Sequence, residues 1–404
     1  MKAIKTLRDL GQSLWLDNIT RDLLQNGTLQ RYIDEFSVTG LTTNPTIFEL
    51  AIKNSTMYAA DITLRSSSTR SAEDLFFELA LVDLAGAAEL LLPVFARTDG
   101  VDGWVSLEVS PLLAHDTNRT LAAAVDLHRR GAKPNFFIKI PGTPEGLPAI
   151  EAAIFAGVPV NITLLFSREQ YLAAADAYLR GIERRIAAGL NPEVASVASL
   201  FVSHWDAAVA GKIPADLTNR LGIAVAQRTY KAYRELLSSA RFQRAANAGA
   251  RAQRLLWAST GTKDPKASDI LYAKALAAPL TINTMPESTL KAFADHGEVG
   301  EIRAPDGSDN EAVFARFANV GIDIDVLATR LQDEGAASFV KSWNNLMDRI
   351  RAKDRPDASG ELTIQGGRDD CLTCAAVPAW TALEWQSKIG TYMGTRGPRE
   401  YKGT

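Results

Sequence analysis

The chain has 404 residues and a formal net charge of −3, and hydrophobic residues make up 46% and charged residues 23% of it. These values are ordinary for a globular protein and exclude a largely disordered chain, a collagen-like chain and a disulfide scaffold. The near-neutral charge gives no reason to expect a nucleic acid or an anionic membrane as a partner. The length allows two or three domains, or one large α/β barrel with additions.

The cysteines and the apolar stretches bear on the cellular compartment. Both cysteines, Cys371 and Cys374, lie near the C-terminus, so the body of the chain is not built on disulfides. The first 17 residues lack the continuous apolar stretch of a signal peptide. The most apolar region, 79–96, carries Asp83 and Glu89, which argues against a transmembrane span. We therefore expect a cytoplasmic protein that binds no membrane.

Short apolar or β-branched runs recur along the chain, separated by longer stretches with helical periodicity. They predict eight strands, at Ser13–Leu16, Gly40–Thr43, Trp104–Val109, Asn135–Ile140, Val158–Leu165, Val194–Val202, Arg254–Ala258 and Leu280–Asn283.

The intervening stretches carry helix signals. The stretch Gly146–Ala156 has apolar residues at helical spacing, and Gly157 is a suitable C-terminal stop. The sequence Ser167–Gln170 is typical of a capping box, here opening a helix that reaches Arg184. The long gaps after the second and sixth predicted strands are helix-rich and predict additional helices.

Alternation of short buried strands with helices implies parallel strand pairing. Eight such units predict a (β/α)₈ TIM barrel with extra helices. A doubly wound open sheet is the alternative, but it normally has a glycine-rich phosphate loop after an early strand, and neither GxGxxG nor GxxxxGK[ST] follows any predicted strand. The composition changes near Arg355, so we predict a barrel over 1–355 and a C-terminal extension over 356–404 that holds one helix at Val377–Ile389.

Polar residues stand at or near the C-terminal ends of several predicted strands. In a TIM barrel such residues meet at one mouth, where the active site lies. They are Asp17, Asn44, Glu108, Lys139, Asn161, Thr163, Ser199 and Ser259.

Lys139 is the strongest catalytic candidate in this set. It lies between Ile138 and Ile140, and a buried ammonium must pair with a carboxylate or lose its proton. A neutral, desolvated lysine attacks carbonyl carbon and forms a Schiff base. The alternative is a strand-end lysine whose amine reaches solvent.

Schiff-base chemistry also needs carboxylates that move protons, and Asp17 and Glu108 are the candidates. Each could instead cap the following helix, and Asp17 before Asn18-Ile19-Thr20 suits an N-cap. Asn44, Asn161, Thr163 and Ser199 could bind sugar hydroxyls or could be ordinary turn and strand-end residues.

Other kinds of site have weak support. The four histidines, His115, His128, His204 and His296, show no metal-ligand spacing, so we expect no metal site. The sequence has no GxSxG motif. The CxxC spacing of Cys371 and Cys374 is weak evidence for a zinc or redox site when no second pair is present.

Several segments resemble transaldolases, and their order is closest to the longer bacterial members of that family. The resemblance covers about residues 5–350 and is carried by separate motifs on separate predicted strands: Leu14-Trp15-Leu16-Asp17, the run Gly40–Phe48, Phe137-Ile138-Lys139-Ile140-Pro141, the run Val160–Ser167 and the run Trp257–Lys263.

The resemblance implies a Schiff-base enzyme without a metal or organic cofactor. It would move a dihydroxyacetone unit between sugar phosphates in the pentose phosphate pathway, from sedoheptulose 7-phosphate to glyceraldehyde 3-phosphate, giving erythrose 4-phosphate and fructose 6-phosphate. The resemblance places the Schiff base on Lys139, proton transfer on Asp17, and the catalytic water on Glu108 and Thr163. It also assigns substrate binding to Asn44, Asn161, Ser199 and Phe201. We add Ser259, at the end of its apolar run, and Lys263 as further candidates for substrate binding.

One position departs from the family pattern. Where the family usually has an arginine that binds the substrate phosphate, this chain has His204. Arginine is always charged, whereas an ordinary histidine is charged only below about pH 6.5. We therefore expect weaker or pH-dependent phosphate binding at His204, unless Lys263 or Arg168 compensates.

Two other functions remain open from the sequence. The same lysine chemistry would serve an aldolase that releases free dihydroxyacetone, and a barrel that has lost activity could act as a binding module. The expected partners are sugar phosphates, with no nucleic acid, and the expected assembly is a monomer or a homodimer.

Overall fold

The computed structural model describes residues 2–65, 71–299 and 308–354. Eight parallel strands close into a barrel in chain order, with β8 beside β1. The strands are β1 Ser13–Asp17, β2 Val38–Thr42, β3 Trp104–Glu108, β4 Phe136–Pro141, β5 Val160–Leu165, β6 Ser196–Phe201, β7 Arg254–Ala258 and β8 Thr281–Met285.

All eight predicted strands are confirmed, with end positions that differ by no more than two residues from those expected. The predicted (β/α)₈ barrel is therefore correct, and its closure excludes the doubly wound open sheet.

Helices surround the barrel. In the described residues they are α1 Lys2–Leu10, α2 Arg21–Gln25, α3 Thr28–Glu35, α4 Pro45–Asn54, α5 Met57–Arg65, α6 Ala72–Arg97, α7 Thr117–Gly131, α8 Gly146–Phe155, α9 Arg168–Ala187, α10 Ser203–Val209, α11 Leu221–Ser238, α12 Ala240–Asn247, α13 Leu271–Ala275, α14 Glu287–His296, α15 Ser308–Asn319 and α16 Ile324–Asp354.

The predicted helix signals act as expected. The Ser167 side chain accepts a hydrogen bond from the Gln170 backbone, and the Gln170 side chain accepts one from the Ser167 backbone, so the capping box opens α9. Helix α8 ends before Gly157, which has a φ of +88° that glycine adopts without strain. The extra helices predicted after the second and sixth strands are α4 to α6 and α10 to α12.

Helix α6 is 26 residues long and apolar enough, by length and composition alone, to cross a bilayer. Here it packs into the core between the barrel and its outer helices. Asp83 in its middle is buried and accepts hydrogen bonds from the Arg21 guanidinium at 2.9 Å and the Tyr58 hydroxyl at 2.8 Å. These partners stabilise a charge that would be costly to bury alone.

A polar network closes the N-terminal end of the barrel, where the strands begin. Asp102 precedes β3 and accepts hydrogen bonds from the Trp15 indole at 2.7 Å and from the Ser13 hydroxyl. The Arg254 guanidinium lies 3.6 Å from the same carboxylate and donates to Ser13 Oγ at 2.7 Å. Ser13, Asp102 and Arg254 line a cavity of about 490 Å³, with Trp104 and Phe137 among its walls.

Helix α16, 31 residues long, is the last described element and packs against α4, α5, α6 and β5. Its contacts with α4 are polar as well as apolar. Thr46 donates to Ser342 at 2.8 Å, and the Lys353 amine donates to the Ile52 carbonyl at 2.7 Å. The helix is thereby fixed beside the loop that follows β2.

Every described element lies within the unit Met1–Pro356. The predicted extension over 356–404, its helix at 377–389, and Cys371 and Cys374 lie outside the described residues. The boundary near 355 and the role of the extension stay predictions.

Candidate active site

The strand register brings three of the predicted residues into one row inside the barrel. Glu108 on β3 is paired with Lys139 on β4, and Lys139 is paired with Asn161 on β5. All three side chains are buried, with 4%, 4% and 0% of their surface exposed. Neighbouring strands therefore hold the predicted nucleophile between a carboxylate and an amide.

Lys139 and Glu108 form a buried ion pair. The Lys139 Nζ lies 3.3 Å from Glu108 Oε2 and donates to the Thr43 carbonyl at 3.0 Å. Burial raises the pKa of Glu108 to about 6, and the charge of Lys139 opposes that rise. A carboxyl with this pKa can both take and give a proton near neutral pH. The alternative in which Lys139 reaches solvent is wrong, because the side chain is enclosed.

Asp17, the last residue of β1, faces the same cavity. Its Oδ1 accepts a hydrogen bond from Thr42 Oγ1 at 2.8 Å. Burial raises the pKa of Asp17, while the charge of Lys139 and the Thr42 hydrogen bond act in the other direction. The alternative role as a helix cap is wrong, because Thr20 caps α2 by accepting from the Leu23 backbone at 3.0 Å.

Asn161 and Ser199 are joined by a hydrogen bond. Ser199 Oγ donates to Asn161 Oδ1 at 2.7 Å, and Asn161 Nδ2 donates to Ser106 Oγ at 3.1 Å. Thr163, two residues further along β5, has a buried hydroxyl without a hydrogen-bond partner among the described residues. Neither carboxylate oxygen of Glu108 accepts a hydrogen bond there either. Buried oxygens that accept no hydrogen bond, and buried hydroxyls without a partner, are available to a substrate or to water.

Asn44 both caps a helix and lines the cavity. Its side-chain oxygen caps α4 by accepting from the Ile47 backbone at 3.0 Å. The same residue lines the cavity. The cap fixes the side chain at the cavity wall.

A cavity of about 250 Å³ opens at this mouth of the barrel. Of the predicted site residues, Glu108, Asn161, Thr163 and Lys263 do not line it, although Glu108 and Asn161 contact residues that do. The lining residues are Asp17, Thr42, Asn44, Thr46, Ile47, Lys139, Ser199, Phe201, His204, Ala258, Ser259, Thr284, Ser338 and Phe339.

His204 lies on α10, with its ring centroid 5.9 Å from that of Phe166 and 5.5 Å from that of Phe201. Its Nδ1 is buried and has no partner among the described residues. Burial, and to a smaller extent the charge of Lys263, lowers the pKa of His204 to about 4. The imidazole is therefore neutral at neutral and mildly acidic pH, and the expected titration near pH 6.5 does not apply to the free protein.

The two residues expected to compensate for His204 differ in their positions. Lys263 follows β7 on an exposed loop, and desolvation lowers the pKa of its ammonium. It is close enough for its charge to act on His204. Arg168 is paired with Glu169 at 2.6 Å and does not line the cavity. Lys263 is therefore the better placed of the two cations.

Several lining residues are not among the predicted site residues. Thr42 and Thr284 are polar residues inside short apolar strands, and the reasoning that selected Asn161 would have selected them too. Their hydroxyls lie 2.7 Å apart. Ser338 and Phe339 come from α16, and no local signal places that helix at the mouth. The Phe339 ring centroid lies 5.8 Å from Lys139 Nζ, within cation–π range.

No group of three or more His, Cys, Asp or Glu side chains that could hold a metal ion occurs within the three described ranges. The functional groups at and around the cavity are a lysine, carboxylates, amides and hydroxyls.

The sequence matches the family described as Transaldolase/Fructose-6-phosphate aldolase over residues 14–350. A protein named Transaldolase from Mycolicibacterium smegmatis is 43% identical over 359 residues, covering 87% of this chain and 97% of its own. A Transaldolase from Parafrankia sp. is 42% identical over 361 residues, with the same coverage of both chains. One from Thermobifida fusca is 44% identical over 358 residues, covering 86% of this chain and 97% of its own. The family match, the three relatives and the closed barrel agree, and the chain belongs to the transaldolase/fructose-6-phosphate aldolase family.

Proposed function

We propose that this family member is a transaldolase that transfers a dihydroxyacetone unit between sugar phosphates through a Schiff base on Lys139. The reaction would convert sedoheptulose 7-phosphate and glyceraldehyde 3-phosphate into erythrose 4-phosphate and fructose 6-phosphate, as in the pentose phosphate pathway. The observation that carries the proposal is the buried Lys139–Glu108 pair, 3.3 Å apart, at a polar cavity in the barrel mouth.

The first step forms the imine. A proton passes from the Lys139 ammonium to Glu108, and the neutral amine attacks the ketose carbonyl carbon to give a carbinolamine. Protonation of its hydroxyl by Glu108 lets water leave as the C=N bond forms. The raised pKa of Glu108 suits it to both proton transfers. The unpaired hydroxyl of Thr163 can hold the departing water.

The second step breaks the C3–C4 bond of the ketose. Asp17 takes the proton of the C4 hydroxyl, the aldose leaves as an aldehyde, and the bonding electrons move into the protonated imine to form an enamine. The raised pKa of Asp17 makes it a better base than an ordinary aspartate. Addition of the enamine to the acceptor aldehyde reverses these steps, and Asp17 returns its proton.

The enamine must be held until the acceptor arrives. We assign this to Asn44, Asn161 and Ser199, whose amide and hydroxyl groups match the dihydroxyacetone hydroxyls, with Phe201 as an apolar wall. Fixing a bound reactant in this way contributes several kcal/mol to catalysis.

We assign the phosphate end of the substrate to Ser259, Lys263 and His204. Ser259 and His204 line the cavity, and Lys263 acts electrostatically on His204. With a neutral imidazole in place of a guanidinium, Lys263 supplies the positive charge. This predicts weaker phosphate binding than a site with a fixed guanidinium would give.

The remaining expectations concern partners and compartment. We propose a cytoplasmic enzyme, a monomer or homodimer, that binds neither nucleic acid nor membranes. The near-neutral net charge supports this assignment.

An aldolase that releases free dihydroxyacetone would use the same imine and enamine. Product analysis of sedoheptulose 7-phosphate with and without glyceraldehyde 3-phosphate separates the two, because a transaldolase releases more than one equivalent of aldose per site only when the acceptor is present. A barrel without activity is disfavoured by the Lys139–Glu108 pair, since a buried ion pair is costly to keep for packing alone.

Borohydride trapping tests the proposed mechanism. The enzyme is incubated with fructose 6-phosphate and reduced with borohydride, and peptides are analysed by mass spectrometry. We expect a dihydroxyacetone adduct on Lys139. An unmodified Lys139, or an adduct confined to other lysines, would contradict the mechanism.

A further inference from the structure

Strand β5 contains an irregularity next to the proposed catalytic threonine. Its pairing with β6 shifts between Ile162, paired with Ala198, and Leu165, paired with Leu200, so three steps on β5 match two on β6. Leu164 supplies the extra residue and has a φ of +58°, which side chains other than glycine rarely adopt. This is a β-bulge, and Thr163 immediately precedes it.

A glutamine from α16 fixes this bulge. Gln332 is 7% exposed, and its Nε2 donates to the Gly142 carbonyl at 3.0 Å and to the Leu164 carbonyl at 2.9 Å. The Gly142 backbone donates in turn to the Thr163 carbonyl at 2.7 Å. One side chain thus joins the loop after β4, three residues beyond Lys139, to the bulge of β5.

Helix α16 lies directly against the bulge at this point. At Gly335, one turn after Gln332, a Cβ atom would lie 3.0 Å from Leu164 Cδ2 and 3.4 Å from the Phe166 ring. Phe339, one turn further, lines the cavity beside Lys139. The face of α16 that carries Gln332 is therefore in contact with the wall of the site.

We propose that Gln332 is a positioning residue that directs the Thr163 hydroxyl toward the water exchanged at Lys139. The Thr163 hydroxyl has no hydrogen-bond partner among the described residues, so its direction depends on the backbone that Gln332 holds. Misplacing a catalytic group by about 1 Å can lower a rate about a hundredfold. The inference rests on the mechanism under Proposed function.

The test substitutes Gln332→Leu, which removes both donated hydrogen bonds at similar volume. We expect imine formation with fructose 6-phosphate, measured by borohydride quench in a single turnover, to slow about tenfold, because the Thr163 hydroxyl is displaced by only part of an ångström. The turnover number should fall with it, while the Michaelis constant changes less than about twofold, since the cavity lining is kept.

The matched control is Gln12→Leu at the opposite end of the barrel. Gln12 is 1% exposed, and its Nε2 also donates two hydrogen bonds, to the Leu276 carbonyl and Thr281 Oγ1. This substitution should lower the melting temperature similarly without slowing imine formation. Equal slowing by both substitutions would overturn the proposal, because it would indicate a general loss of packing.

A double-mutant comparison identifies the residue through which Gln332 acts. In a Thr163→Ala background, Gln332→Leu should slow imine formation by less than about twofold, because the positioned group is absent. A full tenfold effect in that background would overturn the proposal. Gln332→Asn keeps the amide on a side chain that is shorter by one methylene group. It should slow imine formation less than Gln332→Leu does, with less disturbance of the core.

The outcome is separable from a failure of the proposed function. If wild-type enzyme gives no adduct on Lys139, the Schiff-base mechanism is wrong, and so is the positioning role of Gln332 that depends on it. If wild type and Gln332→Leu form the adduct at the same rate, the mechanism stands and the positioning role is wrong.

Discussion

The buried carboxylates at the two ends of the barrel interior differ in their hydrogen bonding. At the N-terminal end, the Asp102 carboxylate accepts hydrogen bonds from Trp15 and Ser13 and lies beside Arg254. At the C-terminal end, Glu108 has Lys139 as its ion-pair partner and accepts no hydrogen bond from the described residues. The larger cavity is at the N-terminal end, about 490 Å³ against 250 Å³. The proposed chemistry therefore lies at the smaller cavity, where a buried ionisable group accepts no hydrogen bond from the described residues.

The largest effect should come from removing the nucleophile at the C-terminal end. We expect Lys139→Met to lower transaldolase turnover about 10⁴-fold or more, because no other group forms the covalent intermediate. Turnover is measured in a coupled assay with fructose 6-phosphate and erythrose 4-phosphate. Lys212→Met removes an exposed lysine after α10 and should leave turnover unchanged. A Lys139→Met enzyme with substantial activity would contradict the assignment.

Glu108 should have the next largest effect, together with a pH signature. Glu108→Gln should lower turnover about 10²- to 10³-fold, the usual contribution of a general acid–base. As the pH falls through about 6, the wild-type carboxylate gains a proton and can no longer accept one from Lys139, so the rate of imine formation should fall. That acidic limb should be absent from Glu108→Gln. If the variant kept the acidic limb of wild type, the titrating group would be another residue. Glu235→Gln, on the exposed face of α11, serves as the control.

At the N-terminal end we expect loss of stability without loss of chemistry. Asp102→Ala leaves Trp15 and Arg254 without their buried partner and should lower the free energy of unfolding by about 3 kcal/mol. Urea denaturation measures the loss, and the turnover number of the folded enzyme should match wild type. Asp333→Ala, on the exposed face of α16, is the control and should leave stability unchanged. A large fall in turnover with Asp102→Ala would mean that the two ends are coupled.

The smallest of these effects concerns the phosphate end. His204→Arg should lower the Michaelis constant for fructose 6-phosphate about tenfold, because a charge-assisted hydrogen bond contributes about 1.5–3 kcal/mol. In wild type, the constant should not follow a histidine titration near pH 6.5, because burial lowers the pKa of His204 to about 4. His115→Arg, on an exposed segment before α7, is the control. An unchanged constant in His204→Arg would place the phosphate elsewhere.

Most of the barrel could be predicted because each strand is short, apolar and bounded by turn or helix signals. Lys139, Glu108 and Asp17 could be selected because they are polar residues at the C-terminal ends of predicted strands, and parallel strands direct these ends to one mouth. The sequence left Asp17 open between a helix cap and a catalytic group, and the structure shows that Thr20 is the cap. Only the packed structure distinguishes them.

The contributions of α16 could not be predicted from local sequence. Gln332, Gly335 and Ser338 are residue types that usually form the solvated face of a helix, yet here Gln332 and Gly335 lie against β5 and its bulge. The charge of His204 was misjudged for the same reason. Its low pKa comes from burial beside Phe166 and Phe201, which follow from the tertiary fold.

The position of α16 has a consequence for how the enzyme folds during its synthesis. Lys139, Glu108 and Asp17 are synthesised early, but Phe339 and Gln332 follow roughly 200 residues after Lys139, and the contact of Thr46 with Ser342 spans 296 positions. A nascent chain can close its barrel before this helix leaves the ribosome, because domains begin to fold as they emerge. The mouth would then stay open until α16 docks on α4. Full activity should accordingly be reached only after α16 has been synthesised and has docked.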